Sequence, residues 1–182
     1  REASKAIDGN YSTCWHTEYG WEDNMVTWKT PLPHNLDIDF KEPLDISGFT
    51  LITNPTAPAG QPTKMQFFVK IDGEYKLVKE YKYNITSESY SQTIENKFNA
   101  AVRAEGVRLL YIDALDGHGT LAEIEIMKPE EGMKSEPFDE FLATMGKNEF
   151  YPIPMSGATA SYDGLNWSRT VPGNVLDGSI ST

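Results

Sequence analysis

Asn35-Leu36-Asp37-Ile38-Asp39-Phe40 decides the fold. Leu36, Ile38 and Phe40 alternate with Asp37 and Asp39, so one face of the segment is apolar and the other acidic. That period of two belongs to a strand buried on one side. Working outward, similar short runs occur at 49–52, 65–71, 75–81, 90–94, 107–112 and 121–127, separated by clusters of Gly, Pro, Asn or Ser. Asp72-Gly73 lies between two of these runs and tolerates the positive φ angles of a two-residue hairpin, so its flanking strands are expected to be antiparallel neighbours. The pattern predicts an all-β meander of seven or eight strands. No helix-length periodic segment separates them, which favours a β-sandwich or jelly-roll over βαβ units.

Composition narrows the function. The 182 residues carry 16 Lys and Arg against 27 Asp and Glu, a formal charge of -11. This sign opposes counterion-release binding to nucleic acid and attraction to anionic lipid, so neither is expected as a partner. No apolar run reaches the length of roughly 18 residues that membrane insertion requires. A single cysteine, Cys14, excludes an intramolecular disulfide and any Cys-based zinc cluster.

Organisation changes near Lys128. Residues 1–127 read as one module and 128–156 as an acidic connector, with a short helix near 136–146. Ser135 is placed to cap that helix, Pro137 suits its first turn, and Phe138, Phe141, Leu142 and Met145 form an apolar stripe at helical spacing. The stripe is expected to pack on a neighbouring domain. Asp8-Gly9-Asn10-Tyr11-Ser12-Thr13 then recurs as Asp177-Gly178-Ser179-Ile180-Ser181-Thr182, so 157–182 reads as the start of a second module. The strand-like stretch Gly157-Ala158-Thr159-Ala160-Ser161-Tyr162 ahead of the second copy has no counterpart ahead of the first. The first module is therefore expected to lack its first strand, and 157–162 to fill that position in the same chain or by strand exchange with another copy.

The sequence resembles the discoidin family, meaning the coagulation factor V/VIII C-type domains and the family 32 carbohydrate-binding modules. The resemblance rests on Ala6-Ile7-Asp8-Gly9-Asn10-Tyr11-Ser12-Thr13-Cys14-Trp15-His16-Thr17, Leu32-Pro33-His34-Asn35-Leu36-Asp37-Ile38-Asp39-Phe40 and Ile46-Ser47-Gly48-Phe49. Val107-Arg108-Leu109 and Leu121-Ala122-Glu123-Ile124-Glu125-Ile126 complete the series in order. It implies an eight-stranded, galactose-binding-domain-like jelly-roll sandwich with loops gathered at one end. It also implies a bacterial setting, outside the cell or on its surface, and neighbouring domains on the same polypeptide as partners.

Asp8, Asn10, Ser12 and Thr13 crowd hard oxygen donors around a turn at Gly9, which suits calcium and its six to eight oxygen ligands. The spacing is not that of an EF-hand. The resemblance implies a structural calcium ion held by the carbonyls of Lys5, Asn10 and Ala122, the carboxylates of Asp8 and Glu123, and Thr13 through hydroxyl and carbonyl. The segment from His16 to His34 reads as a polar, irregular loop. Its Glu18, Tyr19, Trp21 and Trp28 suit sugars, whose apolar faces pack on aromatic rings while hydroxyls find polar partners. His16, Asn54 and His118 are further candidate polar contacts with a glycan, whereas Trp15 is expected to plug the end of the sandwich. Two departures weaken a standard galactose pocket: Thr53-Asn54-Pro55 stands where many relatives have an Arg, and Asp116-Gly117-His118-Gly119-Thr120 lacks an aromatic platform.

Enzymatic readings find little support. There is no Gly-x-Ser-x-Gly elbow, no His-Glu-x-x-His and no phosphate-cradling glycine loop. The spacing of Asp37 and Asp39 follows from strand geometry. The expected function is a non-catalytic carbohydrate-binding module of a larger secreted or surface protein. The alternative is a structural spacer or interaction domain with no glycan binding.

Overall fold

The computed structural model describes residues 2–22, 25–28 and 31–147, with the backbone alone at 19, 21, 22, 25–28, 146 and 147. The second module expected at 157–182, its strand at 157–162, and the connector beyond 147 lie outside the described residues.

Among the described residues ten strands and one α-helix follow in order: β1 (Trp15–His16), β2 (Tyr19–Glu22), β3 (Met25–Trp28), β4 (His34–Ile52), β5 (Pro62–Ile71), β6 (Glu74–Lys82), β7 (Thr93–Ala114), β8 (Thr120–Leu121), β9 (Glu123–Met127), β10 (Ser135–Glu136) and α1 (Phe138–Lys147). The strand expected at 35–40 and the one at 49–52 are two halves of β4. Likewise the runs at 90–94 and 107–112 lie at the two ends of β7, with Tyr90 left outside the strand. Lys41-Glu42-Pro43 reads as a break in the sequence because Pro43 cannot donate a ladder hydrogen bond. Here it sits in a register shift between Asp39 and Leu44, where β4 bends without ending.

The strand order β6-β5-β7-β4-β9 is not that of a simple meander. One half of β4 pairs with the 106–111 half of β7, which continues to β5 and β6. The other half lies between Thr93–Lys97 of β7 and Glu123–Met127 of β9. The two layers meet where Phe49 of β4 stacks on Phe67 of β5, with ring centroids 4.0 Å apart. Leu51, Met65, Val69, Val107 and Leu109 complete a core that is fully shielded from solvent. The hairpin expected at Asp72-Gly73 is present, and both residues take the positive φ it needs, 52° and 77°.

Two local expectations give way. The stretch expected as an irregular loop after His16 contains the β2–β3 hairpin, registered Tyr19 with Trp28 and Trp21 with Val26. Helix α1 begins at Phe138, and Ser135 does not cap it. Ser135 belongs to β10, which pairs in parallel with Ala101–Val102 of β7, and its hydroxyl donates to Asp45 at 3.1 Å.

The apolar stripe of α1 packs on this module and not on a neighbour. Phe141 is fully buried, 5.3 Å edge-on to Phe98 of β7, and Met145 joins the same core. The physical reason is that Phe98 and Val102 leave apolar surface beside β7 that the strands do not cover. Phe141→Ala is expected to destabilise the module by about 3–5 kcal/mol through lost transfer energy and a residual cavity. The shift in the denaturant midpoint measures this, and an unchanged midpoint would show α1 to be a dispensable appendage.

Candidate functional site

The C-terminal end of β4 pairs with the N-terminal end of β7 (Ile52–Thr93) and the N-terminal end of β5 with the C-terminal end of β7 (Pro62–Ala114), and Gln61 Nε2, donating to the Ser89 carbonyl at 2.7 Å, ties the two pairs together at one end of the sandwich. The 115–119 turn and the short β1–β8 pair, Trp15 with Leu121 and His16 with Thr120, lie at this end too. Trp15 is buried, edge-on to Tyr111 at 5.5 Å and stacked on His34 at 6.0 Å, so it plugs the end of the core as the sequence suggests. The Tyr111 hydroxyl donates to the Thr120 carbonyl at 3.1 Å, which fixes the strand carrying the 115–119 turn.

Two histidines from different elements meet here. His16 is half-buried, with Nδ1 2.8 Å from the Thr17 carbonyl. His118 is 4% exposed and places Nδ1 3.3 Å from the Asp116 carbonyl. The His118 ring lies under Gly60, where a Cβ would stand 2.7 Å from Nε2. Gly60 also has φ of +80°, so both space and backbone demand glycine there. Burial pushes the His118 imidazole below its ordinary value and nearby His16 acts in the same direction, while the Asp116 carbonyl and charge oppose the shift.

Asn54 is 9% exposed. Its side-chain oxygen accepts from the Thr56 amide at 3.0 Å and the Thr56 hydroxyl at 2.9 Å, so in this conformation it shapes its own loop. Glu18 is exposed next to β1. Tyr19, Trp21 and Trp28 lie on the β2–β3 hairpin that follows, where the backbone register alone is described. Sequence reasoning missed Thr17, Gly60 and Thr120, which frame His118: Thr17 Oγ1 accepts from the Gly119 amide at 3.3 Å, and the Gly60 carbonyl accepts from the Thr120 amide at 2.7 Å. Pro58-Ala59-Gly60-Gln61-Pro62 reads only as a loop because nothing in it shows what lies beneath.

The acidic loop gathers separately. The Asp8 carboxylate accepts from the Asn10 amide at 2.9 Å, the Thr13 hydroxyl at 3.0 Å and Lys5 Nζ at 3.2 Å. The Asn10 amide is the main cause holding the Asp8 carboxyl below its ordinary value; Lys5 and Thr13 act with it, against partial desolvation. Glu123 of β9 is 5% exposed and accepts from the Gly9 amide at 3.0 Å, tying the loop to the sheet beside fully buried Ala122. Burial raises the Glu123 carboxyl above its usual range; the Gly9 N–H opposes this, and the charges of Asp8 and Glu125 add to it.

These residues fit calcium. Two like charges converge, and for the buried one desolvation outweighs its backbone donor, which favours a cation between them. Among the described residues no three His, Cys, Asp or Glu side chains gather at one point. Such an ion would therefore depend on carbonyl and hydroxyl oxygens as well, as hard cations accept.

The acids of β4 do something else. Asp37 receives a bidentate contact from Arg108 at 2.7 and 2.6 Å, and Asp39 pairs with Lys70 at 2.8 Å. Arg108 in turn lies 3.9 Å over the Tyr75 ring. Each carboxylate thus has its own cation on the outer face of the sheet, away from the loop end.

The family model of the F5/8 type C domain matches residues 1–125. The chain belongs to the F5/8 type C domain family. This F5/8 type C domain is 26% identical over 125 residues to an A type blood N-acetyl-alpha-D-galactosamine deacetylase of Flavonifractor plautii, covering 68% of this chain and 15% of that protein. The chain therefore spans about one-seventh of the length of that relative.

Solved structures give the same fold. A family 32 carbohydrate-binding module of Clostridium perfringens, solved with galactose, matches with a TM-score of 0.59 at 24% identity, over 68% of this chain and 82% of that one. Another from C. perfringens, solved with GalNAc-β-1,3-galactose, matches with a TM-score of 0.56 at 26% identity, over 68% and 81%. The two-layer sandwich described above is the fold of these modules.

The buried His118 generates a pH dependence in this F5/8 type C domain. Its folded-state value lies below the roughly 6.5 of an exposed histidine, so on acidification the unfolded chain takes up the proton first. Its contribution is complete above that value, and stability is expected to fall as pH drops below it toward the folded-state value. Comparing melting temperatures at pH 7.5 and 5.5 in wild type and His118→Asn isolates this effect from His16 and His34. The wild type should lose more on acidification than the variant, and equal losses would mean that the ring is not desolvated.

Proposed function

We propose that this domain is a non-catalytic carbohydrate-binding module of a larger secreted or cell-surface bacterial protein, stabilised by a structural calcium ion, and that its loop end takes terminal galactose or N-acetylgalactosamine. The observation that carries the reading is the match to a module solved with GalNAc-β-1,3-galactose, at 26% identity over 68% of this chain and 81% of that one, in a chain that belongs to the F5/8 type C domain family. The deacetylase, of which the matching stretch is a small part, is consistent with a binding domain attached to a catalytic one. No helix among the described residues is long and apolar enough to cross a membrane.

In this reading Tyr19, Trp21 and Trp28 offer ring faces to the C–H faces of a sugar, and His16 and Glu18 supply polar contacts from the neighbouring strand. His118 and Asn54 act beneath the surface by shaping the 53–61 loop. The carbonyls of Lys5, Asn10 and Ala122, the carboxylates of Asp8 and Glu123, and Thr13 would hold the calcium ion. That ion would supply positive charge to the two acids and fasten the N-terminal loop to β9.

The burial of His118 and Asn54 favours a second reading, a spacer that holds neighbouring domains apart. A glycan array followed by calorimetric titration in calcium and then EDTA separates the two. Wild type is expected to bind galactosides, Trp21→Ala and Trp28→Ala to lose about tenfold or more, and EDTA to lower the melting temperature. Silence across galactosides, glucosaminides and polysaccharides would favour the spacer. No thermal shift on chelation, with no retained metal, would remove the calcium site.

A further inference from the structure

The segment between β6 and β7 was read from sequence as strand from Tyr90 onward, but Tyr90 stands on a loop. That loop is pinned at Thr86 and from Glu88 to Gln92. Within it, the Ser89 amide donates to the Thr86 carbonyl at 2.9 Å, the Thr86 amide to Ser89 Oγ at 2.9 Å, and the Tyr90 amide to the Glu88 carbonyl at 3.0 Å. Gln92 Nε2 reaches back to the Tyr90 carbonyl at 2.8 Å. Across to the neighbouring loop, Gln61 Nε2 donates to the Ser89 carbonyl at 2.7 Å and the Ser91 amide to the Asn54 carbonyl at 3.4 Å. The Gln92 amide bonds Thr53 Oγ1 at 2.7 Å, and the Thr53 amide returns a bond to the Gln92 carbonyl at 2.9 Å.

Held this way, Ser91 adopts φ of 47°, a left-handed conformation that costs a non-glycine residue roughly 1 kcal/mol or more. An over-pinned, strained loop normally positions something. Here it positions Tyr90, 54% exposed, the most exposed large apolar side chain among the described residues. Tyr11, nearly as exposed, has its hydroxyl engaged by Glu125. Beside Tyr90 on the same loop the exposed residues are all polar: Thr86, Ser87, Glu88, Ser91 and Gln92. An exposed ring among hydroxyls, a carboxylate and an amide presents a flat apolar face with polar edges, the chemistry that suits a sugar ring.

The loop also lies at the right end of the molecule. Gln61 and Asn54, its partners, belong to the 53–61 loop, and Gly60 in that loop covers His118. The 53–61 loop thus stands between Tyr90 and the His16–His118 region.

We propose that Tyr90 is the stacking platform of a second sugar subsite, taking the unit adjacent to the terminal sugar. The inference rests on the carbohydrate-binding reading above and extends it from one sugar to two. Its structural content is that the 53–61 loop forms the ridge between two subsites, with Ser87, Glu88 and Ser91 beside the ring as partners for hydroxyls on the second sugar.

The test compares wild type, Tyr90→Ala and Tyr90→Phe by calorimetric titration with N-acetylgalactosamine and with GalNAc-β-1,3-galactose, melting temperatures serving as the folding control. Wild type should prefer the disaccharide. Tyr90→Ala should lose roughly three- to tenfold on the disaccharide and nothing on the monosaccharide, while Tyr90→Phe keeps the disaccharide preference. Unchanged disaccharide affinity in Tyr90→Ala, with wild type binding both sugars, would overturn the subsite and leave the carbohydrate reading standing. Equal loss on both sugars would also overturn it, by placing Tyr90 at the terminal sugar. Wild type binding neither sugar would overturn the carbohydrate reading itself and this proposal with it.

Discussion

The antiparallel pairing of β4 with β7 is the constraint on which the rest of the molecule depends. It runs from His34–Tyr111 at one extreme to Ile52–Thr93 at the other, interrupted by register shifts at Asp39/Leu44 and Ile46/Gly48. Because both strands continue through these shifts, one pair of strands serves both layers, and the Phe49–Phe67 stack closes the core between them. The two ends of that pairing return to the same end of the sandwich. His34 brings the stack with Trp15, and Ile52 brings the 53–61 loop. The candidate sugar site is therefore assembled from opposite extremes of a single ladder, and loosening the ladder would separate its parts.

The two ends of the sandwich are built differently. At the far end the chain turns tightly at Asp72-Gly73, where the Gly73 amide is held by Glu105 at 3.0 Å. At the loop end the connections are longer and carry polar side chains into buried positions, among them Thr17, Asn54, Gln61, His118 and Thr120. Buried polar groups are stabilising only when partnered, and the mutual hydrogen bonds of these loops provide most of those partners. The result is a set of loops held in place before any ligand arrives, which lowers the ordering cost of binding. The acidic loop at Asp8 is fastened to the sheet by Gly9 and Glu123, so part of the negative charge of the chain is organised locally.

Much of this was legible in the residues. The alternation at 35–40, the Asp72-Gly73 turn, the helical stripe ending in Met145 and the buried role of Trp15 all follow from local periodicity and residue chemistry. Three features were not. Pro43 reads as the end of a strand, and only pairing to β7 shows that the chain bends there and continues. Phe141 and Met145 announce an apolar face without saying what covers it, and the cover is Phe98 of the same module. His118 and Asn54 look like ligand contacts by residue type. The cover over His118 is Gly60, a tertiary contact that no local pattern encodes, while the Asn54 side chain turns back on Thr56 of its own loop.

The most direct measurement of whether the loop end is a saccharide site is a two-dimensional amide NMR titration of the full chain with GalNAc-β-1,3-galactose. The account requires saturable shifts at 16–18, 54–60 and 116–120, extending to 88–92, with the far end at 72–73 and 103–105 unmoved. Shifts concentrated at that far end, or none at any concentration of the disaccharide, would contradict it.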